Sequence, residues 1–289
     1  MCNYIIRPRQ NHADAATDAA IKTLFAASAR KLLANNAAAR INFAKIALRQ
    51  VLAHPGIATG PLHLVTITPA RCAHPINDGG PGTRQTKATR RQLSPAAVFD
   101  VTALQQIARQ GMGEIPFLGM VEAALFLKWG PDGWSFTDWI SWHCHLLTWG
   151  KTEGELSAQL EPLRRRHHSM RARVSPVHIK PVPQADVTRQ LLYILKAPQK
   201  FSRVGRFSKV GPTGRTKMVG APGLRIKKDD LRTGQRIRML DVIGERRLDQ
   251  LLFGNNAGTA LARSIRLEAR RFASSRRGRF ACVTDNEAE

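Results

Sequence analysis

Tyrosine is almost missing from this chain, with two residues, Tyr4 and Tyr193, among 289. Cysteine is scarce too: Cys2, Cys72, Cys144 and Cys282 are scattered, with no CxxC pair. That spacing excludes a disulfide framework and a zinc ribbon, and it suits a reducing compartment. Acidic residues are few, 21 against 45 Lys and Arg, which leaves a formal charge of +24 spread along the chain. Such an excess favours polyanions, nucleic acid first and anionic membrane second. No apolar run reaches the roughly 18 residues of a membrane span, and "MCNYIIRPRQNHADAA" lacks the apolar core of a signal peptide. The expectation is a soluble, cytoplasmic protein with no membrane partner. A nucleotide-binding phosphate loop is missing as well. Its nearest approach, "GPTGRTK" at Gly211 to Lys217, lacks the four-residue spacer and the Ser or Thr after Lys, so neither ATPase nor helicase activity is expected.

What is present reads as alternating helices and strands. Asp14 to Ala53 is rich in Ala, Leu, Arg and Lys with apolar spacings of three and four, which predicts two basic amphipathic helices. "HPGIATGP" breaks the pattern, and "LHLVTITPA" at Leu62 to Ala70 reads as a buried strand. Residues 71 to 94 read as a loop with a basic insertion, and Ser94 to about Gln110 as one helix with Ser94 as N-cap and Pro95 in its first position. Phe117 to Gly150 reads as a long β-hairpin turning at "GPDG", Gly130 to Gly133, and it holds all five tryptophans. A helix follows from about Thr152, ending in a basic cluster, then the strand "RVSPVHIKPV", then a short helix with Asp186 as N-cap, stopped by Pro198. "KFSRVGRFSKVGPTGRTKMVGAPGLRIKK" reads as a basic linker, Asp229 to Arg271 as helical, and the tail as disordered. The implied class is α+β, helices covering an antiparallel sheet. The division is a basic helical extension over 1–58, a central domain over 59–200 and a basic C-terminal region over 201–289.

The chemistry gathers in the hairpin. Side chains alternate along a strand, so Ile140, Trp142, Cys144 and Leu146 share one face while Ser141, His143 and His145 share the other. This sets the two imidazoles about 7 Å apart at their backbones and turns Cys144 away from them. On the partner strand Val121, Ala123, Leu125 and Leu127 form the apolar face, and Glu122 points the other way. With the turn near Asp132 or Gly133, Glu122 falls opposite Ser141 to Cys144. Two His and one carboxylate suit Mn²⁺, Mg²⁺ or another divalent ion with positions left for water and phosphate oxygens. A His-x-His pair on a strand also occurs as a solvated or internally satisfied pair. On the helix after Asp186, Val187, Leu191, Ile194 and Leu195 make the apolar stripe, while Arg189, Tyr193 and Lys196 fall on another face. A phenol of ordinary pKa, about 10, is a poor nucleophile at neutral pH. Nearby cations and a metal-activated electrophile make it usable; the other reading is a half-buried anchor for the helix.

Three elements in order resemble the HUH endonucleases, and within them the rolling-circle replication initiators: "LVTITPA" at Leu64 to Ala70, "WHCHLLTWG" at Trp142 to Gly150, and "YILK" at Tyr193 to Lys196. The resemblance covers roughly residues 60 to 200. It implies a ferredoxin-like split βαβ sheet, a divalent metal (Mn²⁺ or Mg²⁺) on His143 and His145 with Glu122 as third ligand, and Tyr193 as nucleophile on a scissile phosphate. The product implied is a 5′-phosphotyrosine link with a free 3′-hydroxyl, and Lys196 helps with the phosphate or with the phenol proton. The partners implied are single-stranded DNA or an origin hairpin, a host helicase and a DNA polymerase, with dimerisation left open. Cys144 stands where the family usually has a larger apolar residue, and a single tyrosine argues against a two-tyrosine mechanism. Arg189, Arg164, Arg165, Arg166, Thr66 and Thr68 are candidate nucleic-acid contacts, and several tryptophans are candidate stacking platforms. His178 is a further residue able to line the site, though an ordinary strand histidine fits as well. The rivals are a relaxase or single-tyrosine transposase with the same chemistry, and a non-catalytic basic nucleic-acid-binding protein.

Overall fold

A computed structural model describes residues 29–76, 94–170, 174–198, 200–205, 209–210, 216–217 and 225–275. The described strands are β1 (Leu62–Ile67), β2 (Ala73–Pro75), β3 (Phe117–Leu127), β4 (Trp129–Gly130), β5 (Gly133–Trp134), β6 (Trp139–Trp149), β7 (Val177–Pro181), β8 (Lys200–Gly205), β9 (Lys209–Val210), β10 (Thr216–Lys217), β11 (Arg225–Asp230) and β12 (Leu252–Asn255). The helices are α1 (Ala37–Leu52), α2 (Pro55–Thr59), α3 (Pro95–Val98), α4 (Val101–Met112), α5 (Glu153–Arg166), α6 (Val187–Leu195), α7 (Thr233–Ile243), α8 (Leu248–Leu251) and α9 (Ala257–Ser274).

An eight-stranded, mostly antiparallel sheet runs in the order β11-β8-β3-β6-β1-β7, with β12 paired to β3 and β2 paired to β6. Its spine is the hairpin β3–β6, in register from Phe117↔Thr148 to Phe126↔Trp139. Lys128 adopts a left-handed backbone (φ 49°), and beyond it the hairpin continues as the short β4–β5 pair around the expected turn. The class is thus α+β, with helices against a largely antiparallel sheet.

Local chemistry explains most element ends. Asn36 caps α1 by accepting from the Ala39 N–H, and Thr152 and Glu155 form a reciprocal capping box on α5. The helix expected over Ser94 to Gln110 is two helices. Ser94 caps the first, and Asp100 accepts from the Thr102 N–H to start the second, so a fresh cap interrupts the run. Asp186 precedes α6 without capping it, because its carboxylate is held by Arg189 at 2.7 Å instead. The helix ends at Leu195 with Lys196 extended, short of Pro198. Of the two N-terminal helices expected, α1 is the second; residues 1–28 lie outside the described residues, as do 77–93 and the tail 276–289.

Two corrections concern the C-terminal third. The stretch read as a linker contributes β8, parallel to β3, and β11, antiparallel to β8. The stretch read as helical contains β12, "LFGN", paired with Leu118–Met120 and Phe117 of β3. The turn from β12 into α9 is tight, since a Cβ on Gly258 would collide with the backbone carbonyl of Phe117. The helix α9 also packs on α1, and α1 packs on α6, so elements from both ends of the chain frame the central sheet.

Candidate metal centre and its tyrosine

Both faces of the hairpin are buried. The row Ile140, Trp142, Cys144 and Leu146 packs with Val121, Ala123 and Leu125 as the apolar core expected. The opposite row is covered as well, by α6, which packs across β3 and β6. His143 and His145 are therefore 8% and 4% exposed, and they belong to an interior polar cluster, not to a solvated strand face.

The register places Glu122 directly opposite His143, inside the window expected from the turn. Its Oε2 lies 3.2 Å from His145 Nε2 and 3.6 Å from His143 Nε2. Ligand atoms of all three groups fit within 4.8 Å of one another. The outer nitrogens are already engaged. His143 Nδ1 lies 3.2 Å from the Ser141 carbonyl, which only accepts, so Nδ1 donates there and Nε2 is the nitrogen that faces Glu122. His145 Nδ1 is 2.8 Å from the Thr66 hydroxyl. Glu122 Oε2 is buried and no donor reaches it in hydrogen-bond geometry. Burial pushes the Glu122 carboxyl up, but the His143 and His145 imidazoles, through their polar contacts and charge, bring it below the usual carboxylate range. Burial holds His145 below its ordinary value, against the pull of Glu122, and so favours the neutral ring. A buried oxyanion facing two imidazole nitrogens is a donor set for a divalent cation, with Thr66 and the Ser141 carbonyl orienting the rings from behind.

Tyr193 joins this cluster from α6. Its ring lies 5.0 Å from the His145 ring, edge to face, and the Lys196 ammonium sits 3.7 Å from the centre of its own ring. Val187, Leu191, Ile194 and Leu195 are buried as the stripe predicted, and Tyr193 is half-buried between stripe and site. Burial, and then the Glu122 charge, push the Tyr193 phenol above its ordinary value. Lys196 is held below its ordinary value by burial first; Glu122 opposes this, and the like charges of Lys228 and Lys200 add to it.

The other candidates scatter. Arg189 is turned to Asp186, and Arg164 and Arg165 are paired with Glu161 along α5, with Arg166 exposed beside them. Thr68 donates to the Pro176 carbonyl at 3.3 Å. His178 is exposed on β7 across from Thr66, on the site's face of the sheet. Among the tryptophans Trp142 and Trp149 are core, Trp129 and Trp139 are half-buried and hydrogen-bonded, and Trp134 is exposed, edge-on to Phe136 at 4.5 Å. Sequence reasoning missed Arg40. From α1 its guanidinium donates to the Leu195 and Lys196 carbonyls, both at 3.0 Å, and to the Ala34 carbonyl, tying down the end of the tyrosine helix. Burial lowers its pKa to about 10 despite the attraction of Glu122. Only the basic helical character of this segment was legible; its partners lie some 155 residues away in the chain.

Comparison of the chain with family models, with curated proteins and with solved structures gave no match.

Proposed function

We propose that this chain is a metal-dependent, tyrosine-type DNA strand transferase of the HUH kind, which nicks one strand at a replication origin and so starts rolling-circle replication. The observation that carries this reading is the meeting of Tyr193 with the Glu122–His143–His145 cluster, an interior tyrosine in ring contact with a ligand histidine. The +24 charge supports a polyanionic substrate.

In this reading the Tyr193 oxygen forms a bond to the scissile phosphorus while the bond to the 3′ oxygen breaks. A 5′-phosphotyrosine link and a free 3′-hydroxyl result, and the proton lost by the phenol is balanced by the one gained at the 3′ oxygen. A divalent ion, Mn²⁺ or Mg²⁺, held by Glu122, His143 and His145, would polarise the phosphate. Lys196, over the Tyr193 ring, stabilises phosphate charge and the developing phenolate. Arg40 fixes the end of α6 and with it the approach of the phenol.

The protein incubated with Mn²⁺ and an origin-derived single strand is expected to form a covalent adduct resistant to denaturation. Tyr193→Phe abolishes it while leaving strand binding intact. An adduct that survives this change would overturn the assignment of the nucleophile, and the absence of any metal-dependent cleavage would favour a non-catalytic binding protein. The nicked sequence separates an initiator from a relaxase or transposase.

A further inference from the structure

The residues after Pro198 lie outside the stretch that resembles the HUH endonucleases, and yet they reach the site. β8 lies parallel beside the far half of β3 and β11 pairs with β8, extending the sheet by a two-stranded ribbon. Its two faces carry different charge patterns. Phe201 is buried beside Leu125, which sets that face, together with Arg203, on the apolar side of the sheet. There Arg203 and Lys227 both pair with Asp229, at 2.5 and 3.6 Å.

Alternation sends Lys200 and Lys228 to the other face. Lys228 stands across from Ser202, and Ser202 across from Phe126, in the row that continues down β3 through Ala124 to Glu122. One step before Phe201, Lys200 comes level with Ala124, about 7 Å along the strand from Glu122 by two strand rises. Lys196 descends on the same place from the end of α6, close enough to feel both charges. Asp230, the cross-strand neighbour of Lys200, makes no ion pair with any of the three among the described residues. Lys200 and Lys228, on two adjacent strands, thus lie on the sheet face of Glu122 with no ion pair to Asp230 among the described residues, Lys196 at the end of α6 feels both charges as well as that of Glu122, and on the reverse side of the same ribbon Arg203 and Lys227 are paired with Asp229. Gathered like charges raise the energy of the empty site, and an anion lowers it.

We propose that Lys196, Lys200 and Lys228 form a phosphate-binding bank that holds the backbone of the DNA strand next to its scissile phosphate. The identity of the strand rests on the strand-transfer reading; the anion site rests on the ribbon. Its spread over three elements suits a chain of phosphodiesters better than a single free phosphate.

The test uses the full chain carrying Tyr193→Phe, without metal, and a fluorescein-labelled oligothymidylate whose affinity is followed against salt concentration. Each phosphate contact contributes about 0.7 to the slope of log affinity against log salt for a single strand. Lys200→Gln and Lys228→Gln are each expected to reduce that slope by about 0.7, whereas Lys227→Gln on the reverse face leaves it unchanged. Equal slopes for all three variants and the parent, or an equal drop in all three, would overturn the proposal. So would inorganic phosphate displacing the strand at equal concentration, since the site would then be made for the free ion. If the slopes change as expected but the chain with Tyr193 intact forms no adduct with any strand, the phosphate bank stands and the strand-transfer reading fails.

Discussion

Along β6, Ile140, Trp142, Cys144 and Leu146 face one side of the sheet, Ser141, His143 and His145 face the other, and both rows are buried. On the apolar side the polar atoms around Trp142 are provided for, while His63 Nδ1 and His74 Nε2, far apart on β1 and β2, are buried without a partner. Trp142 Nε1 donates to the Ala96 carbonyl at 3.0 Å, and Arg246, 4.7 Å over the same ring, donates to the Ala97 and Phe99 carbonyls. On the site side only the outer half of each imidazole is provided for, and the inner nitrogens meet a carboxylate oxygen with no donor. What separates the binding centre from the core is convergence: on the site side a carboxylate oxygen and two imidazole nitrogens gather at one point, where a single cation could satisfy all three, and a buried unsatisfied group costs stability unless something arrives to satisfy it.

The comparison breaks most sharply on the apolar side. Trp142→Ala is expected to cost about 3–5 kcal/mol of stability by urea unfolding, and to leave the metal affinity of the folded protein, measured by calorimetry, unchanged. If metal affinity falls with it, the two faces are not independent.

Arg40→Met leaves the Leu195 and Lys196 carbonyls without their donor, at a cost of about 1–3 kcal/mol. Its signature lies in the kinetics: adduct formation slows at saturating strand while strand affinity holds. A loss of affinity alone would argue against a positioning role for Arg40.

Thr66→Val preserves shape but removes the hydroxyl behind His145. A 10- to 100-fold loss of metal affinity is expected, about 1.4–2.8 kcal/mol. Stabilisation by added Mn²⁺ in thermal melts should shrink accordingly; an unchanged shift would mean that Thr66 does not orient the ring.

The smallest effect per group is that of acid. Burial lowers His63 and His74, both on the apolar side, and also His145 on the site side. Their folded values lie below the unfolded value of about 6.5, so the unfolded chain binds more protons in between. The stability they contribute is full above about pH 6.5 and is lost as the pH falls through their folded values. Urea midpoints should decline through that window, and His63→Gln should flatten the decline; a midpoint flat down to the carboxylate range would contradict it.

Much of the site was legible because it depends on short-range periodicity. A period of two put His143 and His145 on one face, the length of the hairpin brought Glu122 opposite them, and a period of 3.6 set Tyr193 beside its helix's apolar stripe. The roles of Thr66 and Arg40 were not legible, since each acts through a partner chosen by strand order or helix packing. β8, β11 and β12 were missed for a related reason. "KFSRVG", "RIKKDD" and "LFGN" carry weak strand patterns of their own; β8 and β12 become strands because β3 offers an unpaired edge, and β11 because β8 offers the next one.

The residues themselves thus determined an α+β chain with strong positive charge, a His-x-His strand facing a lone carboxylate, and a single interior tyrosine on an amphipathic helix. Only the tertiary structure decided that α6 covers the histidines, that Tyr193 touches His145, and that the C-terminal ribbon sets Lys200 and Lys228 on the same face of the sheet. Alternation and helical pitch are properties of neighbouring residues and can be read along the chain. Which edges pair and which faces are covered depends on burying apolar surface and satisfying backbone groups across the whole molecule at once.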